Sequence, residues 1–110
     1  MLRNAREYKV YLPLTYPNGE PIEGEKLTAV KRRLLDIFGG VTVIWQANYL
    51  EGLWLAEEGV IPDQIVIYTS VDLRHPGMEN EMFMLEYKAE LKKEFQQQEI
   101  FITISDLQII

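Results

Sequence analysis

The chain is 110 residues long and 47% apolar, which fits one domain with a core that needs no staples. It has no cysteine, which excludes a disulfide framework and thiolate chemistry and suits a reducing compartment, and its single histidine leaves no side-chain set for a zinc site. Its net charge of −6 is poorly placed to neutralise phosphates, so neither nucleic acid nor an anionic membrane is an expected partner.

The N-terminus carries Arg3, Arg6 and Lys9 without an apolar run, so no signal peptide is predicted, and no stretch is long enough to span a bilayer. The expected setting is the cytoplasm. From Tyr8 to Tyr16 the residues alternate, with Tyr8, Val10, Leu12 and Leu14 on one face, which predicts a half-buried strand ending near Pro13. A turn-rich loop follows through Pro17-Asn18-Gly19 and Pro21. Leu27, Val30, Leu34, Ile37 and Phe38 recur at helical spacing, and Gly39-Gly40 stops that helix. Lys31-Arg32-Arg33 reads as the solvated face of its later turns rather than as a phosphate patch.

Val41 to Ala47 is β-branched and aromatic, hence a strand; Gly52 to Ala56 offers a bulge or a second short strand. After a turn at Glu57-Glu58-Gly59, Gln64 to Val71 is apolar on both alternating sets and predicts a central strand. Asp72 to Gly77 is a loop. A second helix spans about Met78 to Gln97, with Met84, Tyr87, Leu91 and Phe95 as its core stripe. A further apolar line of Met82, Leu85 and Ala89 is expected to fold under the preceding loop, or else to meet a partner. Glu99 to Ser105 is the last strand, followed by the apolar tail Leu107, Ile109 and Ile110.

The order strand, helix, strand, strand, helix, strand predicts an α+β, ferredoxin-like βαββαβ domain over residues 1–110: a four-stranded antiparallel sheet with two helices on one face. The run Phe38-Gly39-Gly40-Val41-Thr42, with Gly52 and Trp54, resembles small uncharacterised bacterial and phage ferredoxin-like domains. That resemblance implies the fold and carries no catalytic residues with it. The element order is also similar to dimeric α+β barrel proteins, which implies nothing about chemistry beyond the fold.

No motif names a reaction. The strand that would bind RNA reads Gln64-Ile65-Val66-Ile67-Tyr68, without the glycine and basic residue that such a surface needs. A phosphate loop, a nucleophile elbow and an HExxH pair are absent from the sequence. His75 stands in a loop beside Arg74, with Asp72 or Glu79 as possible orienting partners; its plainer reading is a solvated histidine. Glu57, paired with Glu58, is the other candidate base, though adjacent turn acids usually point into water. Asn48, Tyr49, Trp54 and Tyr68 are the candidate ligand-binding set, an aromatic wall with a few polar groups; Trp45 reads as core, and Trp54 is open between core and pocket.

Two functions follow. One is a binding or interaction module, a small homodimer that holds a protein partner or a small apolar ligand. The other is a cofactor-free enzyme of the dimeric α+β barrel kind acting on a small apolar substrate, with His75 or Glu57 as base. No metal or cofactor is expected. The dimer is expected to form through the open sheet face, where Tyr11, Ile44, Phe101 and one of Val66 or Tyr68 make an apolar band.

Overall fold

In the computed structural model, residues 1–44, 50–56, 59–73 and 78–110 are described, with 50–56 and 59–63 described by their backbone alone. Alternation of apolar side chains builds β1 (Arg3–Pro13), and Pro13, which has no donor, ends it. Helix α1 (Gly24–Phe38) follows, then β2 (Thr42–Ile44), β3 (Leu50–Ala56), β4 (Gly59–Asp72), α2 (Met78–Glu94) and β5 (Ile102–Ile109). All pairings are antiparallel, in the order β2-β4-β1-β5, with β3 also on β4.

Segments β2 and β3 lie along one edge of β4: β2 pairs with Ile67–Thr69 and β3 with Gly59–Ile65, while β1 takes the opposite edge at Ile65–Asp72. The sheet therefore has four positions, the two central ones held by β1 and β4, as in a ferredoxin-like fold. The first half of β4 extends past β1 as a two-stranded ribbon with β3. A 14-residue strand covers about 46 Å at 3.3 Å per residue, close to the molecule's 50 Å long axis.

Both helices pack on one face. Tyr8, Val10, Leu12, Val66 and Tyr68 point up from the sheet, all fully buried, and meet Val30, Leu34 and Phe38 of α1 and Met84, Tyr87 and Leu91 of α2. The Tyr8 ring stacks on Phe38 with centroids 5.0 Å apart. Lys26 ties the far end together. Its Nζ donates to the Tyr16 hydroxyl at 2.6 Å and to the Glu94 carbonyl at the end of α2 at 2.8 Å, and the Tyr16 hydroxyl in turn donates to Glu23.

Four sequence expectations change. Strand β1 starts at Arg3, not Tyr8, because the polar residues Arg3 to Glu7 are held between two neighbouring strands. The tail is no tail: Leu107 and Ile109 lie in β5 and pair with Ala5 and Arg3. Val66 and Tyr68 are on the same side as Val10 and Leu12, so the outward residues of β4 are Ile65 and Ile67. The second line on α2 is not covered, with Met82 51% and Leu85 65% exposed.

Candidate functional site

Antiparallel register sets residues side by side in rows across the sheet, and each row belongs to one face. On the open face, Phe101 follows the register to Tyr11, whose N–H donates to the Phe101 carbonyl at 3.0 Å; Tyr11 pairs with Ile67, and Ile67 with Ile44. These four form one apolar row. The next row is polar: Thr103, Lys9, Thr69 and Thr42. The apolar row is thus bordered by charge and hydroxyls on one side, while the row on its other side, Pro13, Ile65 and Leu50, is again apolar.

Other expected residues fall elsewhere. Tyr68 is fully buried under the helices, and its hydroxyl donates to the Leu27 carbonyl at 3.2 Å. Burial pushes its phenol pKa upward. Trp54 belongs to β3, where its backbone pairs with Ile61. Asn48, Tyr49, Glu57 and His75 lie outside the described residues.

On the helix face, the rows run from apolar to charged toward the N-terminal end of β1. Val10 pairs with Ile102 and Tyr68, then Tyr8 with Ile104 and Ser70. One row further, Arg6 is flanked by Asp106 on β5 and Asp72 on β4. Beyond it Asn4 pairs with Gln108. The first turns of α2 add Asn80 and Glu81 above. Arg6 Nε donates to Asp106 Oδ1 at 2.8 Å and its Nη1 to Glu81 Oε1 at 3.2 Å. The Asn80 amide donates to Asp72, which is only 4% exposed.

Two carboxylates, Asp106 and Glu81, therefore hold one guanidinium, with Asp72 the register neighbour of Arg6 on β4. The hydrogen bond to Asp106, then the neighbouring Tyr8, raise the Arg6 pKa further, so it stays charged at any working pH. Tyr8 is fully buried, and its hydroxyl makes no hydrogen bond although the Arg6 guanidinium lies beside it. Burial raises the Tyr8 phenol, against the pull of Arg6. An unsatisfied buried hydroxyl costs about 1–3 kcal/mol. Next to this cluster is an open groove of about 410 Å³, lined by Asn4, Ala5, Arg6, Asp106, Leu107 and Gln108.

The sequence reading missed this cluster. Arg6 and Asp106 are 100 residues apart, and no local spacing connects them. Only the strand register brings them together. Among the described residues, no group of three or more His, Cys, Asp or Glu side chains is arranged to hold a metal ion. No described helix is long and apolar enough to cross a membrane.

No protein-family model matches the sequence, and no curated protein matches it. The fold is similar to the solved structure of a phage SAM lyase in complex with S-methyl-5'-thioadenosine, with a TM-score of 0.68 at 13% identity, covering 96% of this chain and 88% of that one.

Proposed function

We propose that this chain is a small enzyme acting on S-adenosylmethionine, cleaving it to S-methyl-5'-thioadenosine. The observation that carries the reading is the likeness of fold to the phage SAM lyase over 96% of this chain and 88% of that one. The polar groove supports it chemically. S-adenosylmethionine carries a sulfonium and an ammonium against one carboxylate, a net cation. Of its lining, Asp106 suits the positive groups and Arg6 suits the carboxylate.

The reaction makes modest demands on a protein. When the bond from sulfur to the four-carbon amino-acid side chain breaks, the bonding pair stays on sulfur. The leaving group is a neutral thioether, so no acid is needed to protonate it. A lyase closes the valence of the departing fragment from within that fragment, without water. The protein's contribution is then to hold the cation and the carboxylate in place.

The test is direct. Purified protein incubated with S-adenosylmethionine should release the thioadenosine, followed by liquid chromatography. Arg6→Gln should lower the rate roughly tenfold or more, the loss expected for one charge-assisted hydrogen bond. No product, together with no binding of S-adenosylmethionine by calorimetry, would refute the reading. The second reading, an interaction module, is favoured by a different observation, the uncovered apolar line of α2.

A further inference from the structure

We propose that the Tyr8 hydroxyl is a second anchor, beside Arg6, for the carboxylate of S-adenosylmethionine. This rests on the enzymatic reading above and adds a substrate-binding residue to it. The first observation is an orphaned donor. Tyr8 is fully buried, and its hydroxyl has no hydrogen-bond partner. Buried polar groups are nearly always paired, because the contacts with water that they lose must be replaced.

The polar neighbours of Tyr8 are committed elsewhere. Ser70, its register partner on β4, donates its own hydroxyl to the Gly40 carbonyl at 2.8 Å. Asp72, one row further, accepts from the Asn80 amide. The Tyr8 ring is held by its stacking on Phe38. Burial raises its pKa, so the phenol stays protonated and able to donate. The other orphaned hydroxyl among the described residues, that of Thr69, belongs to the open face, away from this cluster.

The second observation is the place of Arg6. Its guanidinium lies beside the Tyr8 hydroxyl and also lines the groove, so the hydroxyl is one side chain away from the groove. A guanidinium has five N–H donors and no acceptor, so nothing on Arg6 can receive the Tyr8 proton. What the two residues lack is an acceptor common to both. A carboxylate is such a group, since its two oxygens offer about four lone-pair sites. On S-adenosylmethionine the carboxylate is the one anion, and the sulfonium and ammonium are left to Asp106.

Access requires Arg6 to shift, and the bonds that hold it are easily exchanged. The side chains of Asp106 and Glu81 are 74% and 42% exposed, and ion pairs so open to water contribute little. A substrate carboxylate that replaces Glu81 on Nη1 keeps the guanidinium paired and gives the Tyr8 hydroxyl its acceptor. Glu81 returns to water, and Asp106 stays on Nε. The orphaned hydroxyl is then a cost carried by the folded chain and relieved on binding. A donor already fixed in place loses little freedom when the ligand arrives.

Tyr8→Phe removes the hydroxyl and keeps the ring on Phe38. Calorimetry with three ligands isolates its role: S-adenosylmethionine, the analogue of it without the carboxylate, and S-methyl-5'-thioadenosine, which lacks the amino-acid part altogether. Tyr8→Phe should bind S-adenosylmethionine roughly tenfold or more weakly, the loss of one hydrogen bond to a charged group. It should bind the other two as the native chain does, and it should melt at or above the native temperature, because an unpartnered buried hydroxyl is gone. Unchanged binding of S-adenosylmethionine would overturn the proposal. So would an equal loss for all three ligands, or a clearly lower melting temperature, which would give the hydroxyl a partner within the fold. Each of these outcomes leaves the enzymatic reading standing. A native chain that binds none of the three ligands refutes that reading, and this inference with it.

Discussion

The two helices are near equals in length and lie on the same sheet face, yet they are built differently. Helix α1 buries Val30, Leu34 and Phe38 and turns Ala29, Arg32, Arg33 and Asp36 to water. Helix α2 buries Met84, Tyr87 and Leu91, and also exposes methionine and leucine on its flank. Their ends differ as well. Gly39 closes α1 in the left-handed conformation, φ 81°, with one bond from its N–H to the Leu35 carbonyl. Gln96 closes α2 at φ 53° in a Schellman arrangement, in which Gln97 N–H reaches the Lys92 carbonyl and Gln96 N–H the Lys93 carbonyl. Helix α1 exposes a single large apolar side chain, Leu35 at 41%, and is otherwise finished as an outer wall. The other keeps a surface and an end that cost stability, and such costs are often associated with function.

The largest test of this contrast lies where the two helices should agree. Leu34→Ala and Leu91→Ala each empty a buried site, and each should cost about 2–5 kcal/mol in chemical denaturation. If Leu91→Ala costs much less than Leu34→Ala, then α2 is held loosely and its exposed flank reflects poor packing rather than an interface.

Alkaline pH should separate them next. Burial, with help from Glu90, pushes the Tyr87 phenol from 10.0 up to about 12. The folded pKa is above the unfolded one, so this contribution is complete below pH 10 and is lost as pH rises toward 12. Two units correspond to about 3 kcal/mol. Helix α1 contains no tyrosine. Circular dichroism followed with phenolate absorbance should therefore show a transition that Tyr87→Phe moves to higher pH. An unchanged transition in that variant would assign it to Tyr8 and Tyr68, whose phenols are also raised by burial.

The smallest effects are at the caps, and they have opposite signs. Gly39→Ala forces a side chain into the left-handed region and should cost about 1 kcal/mol; Gln96→Gly removes that strain and should gain up to about 1 kcal/mol. Thermal melts of the two variants suffice. Equal, same-signed shifts would mean that the two ends are not distinguished by strain.

Much of the fold was legible because it depends on short-range pattern. Leu27, Val30, Leu34 and Phe38 recur at helical spacing, and a double glycine ends the run, so α1 could be placed almost to the residue. Alternation in Tyr8 to Leu12 gave the buried side of β1 correctly. Strand ends were harder to place. Arg3 to Glu7 has no apolar alternation, and it is extended because β4 and β5 bond it on both sides.

Spacings of two to four residues carry the order of helices and strands, the α+β class, the core stripes of both helices and Tyr11, Ile44 and Phe101 of the apolar row, but not its fourth member, Ile67. The rest came from contacts between distant segments. Tyr68 went inward because β4 pairs with β1 in one register and not in its neighbour, and a slip of one residue exchanges the faces. Arg6 came to lie between Asp72 and Asp106 for the same reason. The exposure of Met82 and Leu85 depends on where α2 settles over the sheet, which is set by Arg6 and Glu99 gripping one flank and Arg33 the other. Register and helix placement are properties of contacts between segments far apart in the chain, and a single sequence carries no local mark of them.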